Sequence, residues 1–238
     1  MDTPQPTADE MLARVLHRDG LMLVIDKPAG IPVHRGPKGG PNLEASFDAL
    51  RFGLPRPPAL AHRLDRDTSG CLVLGRHCKA TATLGLLFKH SKVDKTYWAV
   101  VEGGPAEDSG EINLPLAPRS ADRGWWQKVD PAGLPSLSRW RVLGRGHGAA
   151  GEPLAWLALE PVTGRTHQLR VHCAAMGWPI VGDNIYGNGP RFGEPSLHLH
   201  AREIVVPLSK NKPPVCVTAP VPPHLQERLK ACGWTGQA

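Results

Sequence analysis

The stretch LAHRLDRDTSGCLVLG (residues 60–75) sets four charged side chains, Arg63, Asp65, Arg66 and Asp67, directly ahead of an apolar run, Cys71 to Leu74. The apolar run lies between Gly70 and Gly75 and reads as a buried strand, with the polar residues as the loop that leads into it. Removing charge from water is costly, so a chain seldom keeps such a cluster at the mouth of a buried strand for stability alone. The bland alternative is a capped, solvated turn, because Asp, Thr, Ser and Gly all suit turns. The cluster is His62, Arg63, Asp65, Arg66, Asp67, Thr68 and Ser69.

Outward from this loop the chain alternates short strands and a few helices. LMLVIDKPAG (21–30) reads as a strand closed by Pro28 and Gly30, and NLEASFDALRFG (42–53) as a helix capped by Asn42 and ended at Gly53. Gly and Pro make 35–42 an exposed loop. A helix is expected over 78–90 and a strand over KTYWAVVEG (95–103). Between 110 and 160, EINLPL, SLSRWRVLG and LAWLALEPV are further strands. TGRTHQLRVHCAAMG (163–177) reads as a helix stopped by Gly177; strands LHLHAREIVVPL and PPVCVTAPV and a last helix HLQERLKACG follow. The fold class is therefore α+β, a mixed, largely antiparallel central sheet with flanking helices and a cleft for the site. The expected organisation is a leader, 1–19, followed by one domain, 20–238.

Bulk properties narrow the function. Twenty-eight basic against 22 acidic residues give a formal charge of +6. The first twenty residues hold Asp2, Asp9, Glu10 and Asp19 against Arg14 and Arg18, so the positive surplus lies in the body. A basic body suits a polyanion such as nucleic acid. Five cysteines without a C-x-x-C pair or a secretory signal point to reduced thiols and a cytoplasmic setting. No apolar run is long enough for a membrane span.

Two more polar clusters stand out. In TGRTHQLRVH, Thr163 is a plausible N-cap, which puts Arg165 in the first helical turn, where a cation opposes the helix dipole. An anion should offset it, and Asp65 is the obvious partner. At about 4 Å such a pair attracts by on the order of 4 kcal/mol at an effective dielectric near 20, enough to keep a carboxylate ionised. Arg165, Leu169 and Cys173 would share one helical face with Met176, and Gln168 and His172 a neighbouring one. In KTYWAVVEG, Tyr97 alternates with apolar residues on a strand. It reads either as a packed aromatic or as one that stacks on a base and offers its hydroxyl. A zinc site is disfavoured, because His167/His172 and His198/His200 lack H-E-x-x-H spacing and nearby cysteine pairs. Asp65 and Asp67 as a glycosidase pair would sit too close without intervening cations.

Together, HRLDRDTSG, KTYWAVVEG and GRTHQLRVH…GWPIVGDNIYG resemble the signature regions of the RluA-type RNA pseudouridine synthases, and VIDKPAGIPVH (24–34) resembles that family's opening strand. The resemblance runs from about residue 20 to 222. It implies Asp65 as the catalytic carboxylate, Arg165 as its paired arginine, Tyr97 as the active-site tyrosine and Leu169 as a wall of the base pocket. Arg63 would help displace the target nucleotide, His62 would support the loop, and Leu64 and Thr68 would complete the substrate-binding set. The implied reaction breaks the N1–C1′ bond of uridine, turns the uracil and rejoins C5 to C1′. It needs no metal or cofactor. The residues before Leu21 are too few for the S4 RNA-binding domain that many relatives carry. Substrate choice is then expected to rest on the catalytic domain, acting as a monomer on a compact stem-loop of rRNA or tRNA. A catalytically idle RNA-binding relative is the alternative, against which the joint presence of Asp65, Tyr97 and Arg165 speaks.

Overall fold

The computed structural model describes residues 4–36, 39–120, 125–208 and 211–236. Residues 1–3 of the leader, 37–38 of the 35–42 loop and 209–210 of the segment between the last two strands lie outside the described residues. The chain forms two compact units, Met1–Asp94 with Ala201–Pro220, and Lys95–His200 with Val221–Ala238. Its fold class is α+β with mostly antiparallel strands, as the sequence pattern requires.

The first unit begins with α1 (Ala8–Ala13), a single short helix held by a capping box in which Thr7 and Glu10 bond each other's backbone N–H. The strand β1 (Val15–Arg18) pairs antiparallel with β2 (Met22–Lys27), so the leader is itself part of the sheet. β2 pairs antiparallel with β4 (Ser69–Gly75), matching Ile25 to Leu72 and Lys27 to Gly70. The short β3 (Ala59–Leu60) also pairs with β4. On its other side β4 adjoins β11 (Leu199–Val206), which pairs antiparallel with β12 (Val215–Thr218). Every residue of β4 is buried, which explains a continuous apolar run where a one-sided strand would alternate. Only glycine fits position 70: its φ is +105°, and a Cβ there would lie 2.2 Å from the Ala201 carbonyl oxygen.

The helix α2 (Cys78–Lys89) is capped by His77, whose side chain accepts from the Ala80 N–H. It buries Leu84 against Met22, Val24, Val73, Ile204 and Val206. The segment expected as a helix over 42–53 is wound as a 3-10 helix, Leu43–Leu50, with Asn42 accepting from the Ala45 N–H at 3.1 Å. Its buried residues Leu43, Phe47 and Leu50 keep helical spacing.

In the second unit β10 (Pro153–Pro161) is the central strand. It pairs antiparallel with β5 (Asp94–Glu102) on one side and β9 (Leu137–His147) on the other, and β6 (Ser109–Asn113) closes the far edge of β9. One face packs α3 (Gln168–Ala175) through Leu169 and Cys173 onto Leu157, Leu159, Trp140 and Trp178. The other packs α4 (Pro223–Ala231) through Leu225 and Leu229 onto Val100, Leu154 and Trp156. A separate hairpin, β7 (Leu116–Pro118) with β8 (Gln127–Val129), stands off this sheet. Among the described residues no helix is long and apolar enough to cross a membrane.

Candidate active site

Asp65 sits in a tight turn at the entrance to β4. The Thr68 N–H donates to the Asp65 carbonyl at 3.2 Å, closing the turn over 65–68. The turn is fastened to the end of β2 by Lys27. This lysine is fully buried, and its Nζ donates to the carbonyls of Pro28, Arg66 and Thr68, each at 2.8 Å. All three ammonium protons are thereby used. A second fastening joins the Gly30 N–H to the Arg66 carbonyl and the Arg66 guanidinium Nε to the Gly30 carbonyl, both at 3.0 Å. Burial pushes the Lys27 ammonium down to about 7, against the carboxylates of Asp67, Asp65 and Asp26, which hold it up. Burial likewise raises the neighbouring Asp26 carboxyl to about 6, opposed by the positive charges of Arg14 and Lys27. The result is a carboxylate-bearing turn whose backbone is fixed from below, with Asp65 itself only half-buried.

The other loop residues divide by environment. His62 stacks on Phe88 with ring centroids 4.1 Å apart, and its Nε2 accepts from the Val73 N–H at 3.0 Å. That ring pins the chain ahead of the turn to β4 and to α2. Leu64 is buried and Arg63 exposed. Thr68 is buried, and its Oγ1 has no hydrogen-bond partner among the described residues. An orphaned buried hydroxyl costs about 1–3 kcal/mol, so its position within the Asp65 turn calls for a reason beyond packing.

In the second unit the expected helix start is displaced. Thr163 is not the N-cap, and Arg165 is not in the first turn. The helix begins at Gln168, and His167 in the N-cap position has φ +52° and makes no side-chain cap. The cause is the buried side chain of Gln168. Its Oε1 accepts from the Thr163 hydroxyl at 2.7 Å and the Arg165 N–H at 3.1 Å. Its Nε2 donates to the Leu137 carbonyl and to Ser138 Oγ, both at 2.9 Å. One amide with all four hydrogen-bonding positions filled holds 163–168 as a loop, which outweighs the helix propensity of the segment. The helix-dipole argument for a partner to Arg165 therefore falls. Arg165 is exposed on that loop, with its Nε donating to the Pro135 carbonyl at 3.2 Å.

The expected helical faces hold beyond residue 168, with one exception. Gln168 and His172 both bond Ser138 Oγ, and Leu169 and Cys173 both enter the core. Met176, expected on that apolar face, is exposed. Both ring nitrogens of His172 are engaged, with Ser138 Oγ at 2.9 Å and the Leu114 carbonyl at 3.0 Å, and burial lowers its pKa. Tyr97, opposite Leu159 on β10, packs against the cluster that contains Leu169, so the structure brings these two expected pocket residues to one place.

A second network joins α3 to GDNIYG (182–187). Arg170 and Asp183 form a buried bidentate pair, Nε–Oδ2 2.8 Å and Nη2–Oδ1 2.7 Å. Asp183 Oδ1 also accepts from the N–H groups of Ile185 and Tyr186. Burial pushes this carboxyl up, but the hydrogen bonds and charge of Arg170, with the two backbone donors, outweigh it and hold it below the ordinary range. Tyr186, fixed in this way, places its hydroxyl 2.8 Å from His167 Nδ1 and accepts from the Gln127 N–H at 2.9 Å. Arg170 and Asp183 thus hold the loop of Arg165 from one side as Gln168 holds it from the other. Lys27 was missed because lysine is seldom buried. Its signal is its place at the strand end immediately before Pro28.

Solved structures with this architecture define the class. Human RNA pseudouridylate synthase domain containing 4 aligns over 94% of this chain and 95% of its own, with a TM-score of 0.76 and 26% identity. Human RNA pseudouridylate synthase domain containing 1 gives 0.74 and 29% over 94% and 90%. The profile described as RNA pseudouridylate synthase matches residues 21–175. An uncharacterised RNA pseudouridine synthase of Zymomonas mobilis is 41% identical over 88% of this chain and 94% of its own length. The ribosomal large subunit pseudouridine synthase C of Vibrio cholerae is 36% identical over 90% and 68%. The chain belongs to the RluA-type RNA pseudouridine synthase family, enzymes that isomerise uridine in RNA.

Proposed function

We propose that this chain isomerises particular uridines in stem-loops of rRNA or tRNA, with Asp65 as the reacting carboxylate and Tyr97 and Arg165 as the other catalytic residues. The observation that carries the assignment of Asp65 is its seat: a half-buried carboxylate on a turn fastened through its Arg66 and Thr68 carbonyls by two bonds from one buried lysine. Preorganised positioning of this kind suits a reaction that must hold a nucleotide through glycosidic cleavage and re-formation. The N1–C1′ bond breaks, C5 bonds to C1′, the C5 proton leaves to solvent and N1 gains one, so no oxidant or donor is consumed. Arg63 is exposed beside the turn, as a wedge that opens the RNA would need to be. His62 and Leu64 support the turn, the orphaned Thr68 hydroxyl offers a hydrogen bond, and Leu169 walls the uracil. We take 20–238 to work as one catalytic domain, in a monomer acting in the cytoplasm.

The Vibrio relative is named for the large ribosomal subunit, which makes rRNA the first substrate to test. Purified protein would be incubated with rRNA and tRNA from a strain lacking the gene, and pseudouridines mapped by carbodiimide adduct stops in reverse transcription. New stops at defined stem-loop uridines, absent with Asp65→Asn, are expected. Unchanged maps in both RNA classes would contradict the proposal.

A further inference from the structure

The hairpin β7–β8 carries a feature that the reaction above does not use. Trp125 precedes β8 and is 54% exposed. Its ring meets Trp126 at 5.2 Å and 84° and His167 at 6.1 Å and 82°. Both contacts are edge-type, so no ring of the described residues lies parallel on its face. The position is fixed rather than incidental. The Gln127 N–H donates to the Tyr186 hydroxyl, which also bonds His167, and Tyr186 is held by the buried Asp183. The loop end of the hairpin, where β8 begins, is thus tied to the network that shapes the loop of Arg165, two residues from His167.

The surroundings suit RNA. The Arg119 guanidinium lies 5.7 Å from the Trp126 ring centroid, at the exposed end of β7. At the other end of the hairpin Val129 and Leu134, both exposed and apolar, lie opposite Leu116. A half-exposed indole, a nearby cation and a rigid mount match the demand of an unpaired base and its phosphate. We propose that Trp125 is a stacking platform for an unpaired base next to the target uridine, a positioning residue that helps choose the RNA. This rests on the synthase reading of the Arg165 loop.

The test uses the full chain and a ten-nucleotide oligouridylate with one central 2-aminopurine, whose fluorescence is quenched by stacking. Trp125→Phe, Trp125→Leu and, as a control on α2, Leu86→Ala would be compared with wild type. Trp125→Leu keeps apolar bulk without a ring; it should weaken binding about 5- to 100-fold and abolish the quenching, with Trp125→Phe between it and wild type. Binding and quenching by Trp125→Leu equal to wild type would overturn the platform. Tritium release from [5-³H]uridine-labelled RNA separates the two readings. Release by wild type with no binding change in Trp125→Leu discards the platform and keeps the synthase. Lost binding without release by wild type discards the synthase and, with it, the target uridine, and overturns the proposal while leaving Trp125 a base-stacking residue.

Discussion

The turn of Asp65 and the loop of Arg165 are each held by a buried cation, but the cations are satisfied in different ways. Beneath Asp65, Lys27 is met by three backbone carbonyls, while the three nearby carboxylates act on it through charge alone. Behind the Arg165 loop, Arg170 is met by a full anion, Asp183, in bidentate geometry. The difference follows from the two side chains. A guanidinium keeps its proton at any ordinary pH and, once buried, needs a complete counter-charge. An ammonium can lose its proton, and burial has already brought Lys27 to about 7, so carbonyl dipoles suffice. The protonation of the first clamp therefore changes near neutrality, and that of the second only in strong acid.

The largest effect should come from breaking the ion pair. Asp183→Ala leaves Arg170 charged and buried and should cost about 3–5 kcal/mol, read by urea unfolding. Because Asp183 titrates below its unfolded value, its stabilisation is complete above that value and is lost as pH falls through the lower folded one. The acid limb of the stability profile should therefore flatten in this variant. An unchanged midpoint would mean that the pair is not structural.

Lys27→Met should cost somewhat less, about 2–4 kcal/mol, because the Arg66 carbonyl retains the Gly30 N–H. Turnover should fall by about 10- to 100-fold as the Asp65 turn loosens. The folded pKa of Lys27 lies below its ordinary value of 10.5, so its contribution is present above that value and lost as pH falls through about 7. Wild type should lose stability over that interval on acidification, and Lys27→Met should not. Equal slopes would place the titration elsewhere. Asp26 has the opposite sign. Its raised pKa favours the fold below about 4 and loses that advantage as pH rises through about 6, a loss that Asp26→Asn should remove.

The smallest effect on stability is expected at Thr68. Thr68→Val removes an unpaired buried hydroxyl at nearly constant volume and should leave the fold unchanged or stabilise it by about 1 kcal/mol. If the hydroxyl serves the substrate, KM rises or kcat falls in the same variant. Full activity would reduce Thr68 to packing.

What could be read in the sequence follows the range of the forces involved. Strands such as Cys71–Leu74 and Tyr97–Val101, and the helix over 78–90, declare themselves through local periodicity and turn residues. The Asp65 turn was visible because its charges stand against a buried strand. The start of α3 was misplaced because one side chain, Gln168, reaches back to Thr163 and across to Leu137 and Ser138, and the latter contacts span 30 residues or more. The folded part of the leader was missed for a similar reason. The six-residue α1 buries only Met11, and β1 is defined by pairing with β2 rather than by its own pattern. Lys27 and the Arg170–Asp183 pair are the clearest case, since composition favours charge at the surface and only the fold shows what surrounds it.

The most direct test is tritium release from [5-³H]uridine-labelled rRNA and tRNA by wild type, Asp65→Asn and Asp67→Asn under single-turnover conditions. Release by wild type and Asp67→Asn, with none by a folded Asp65→Asn, is the predicted result. Equal release by wild type and Asp65→Asn would contradict the assignment of the reacting carboxylate.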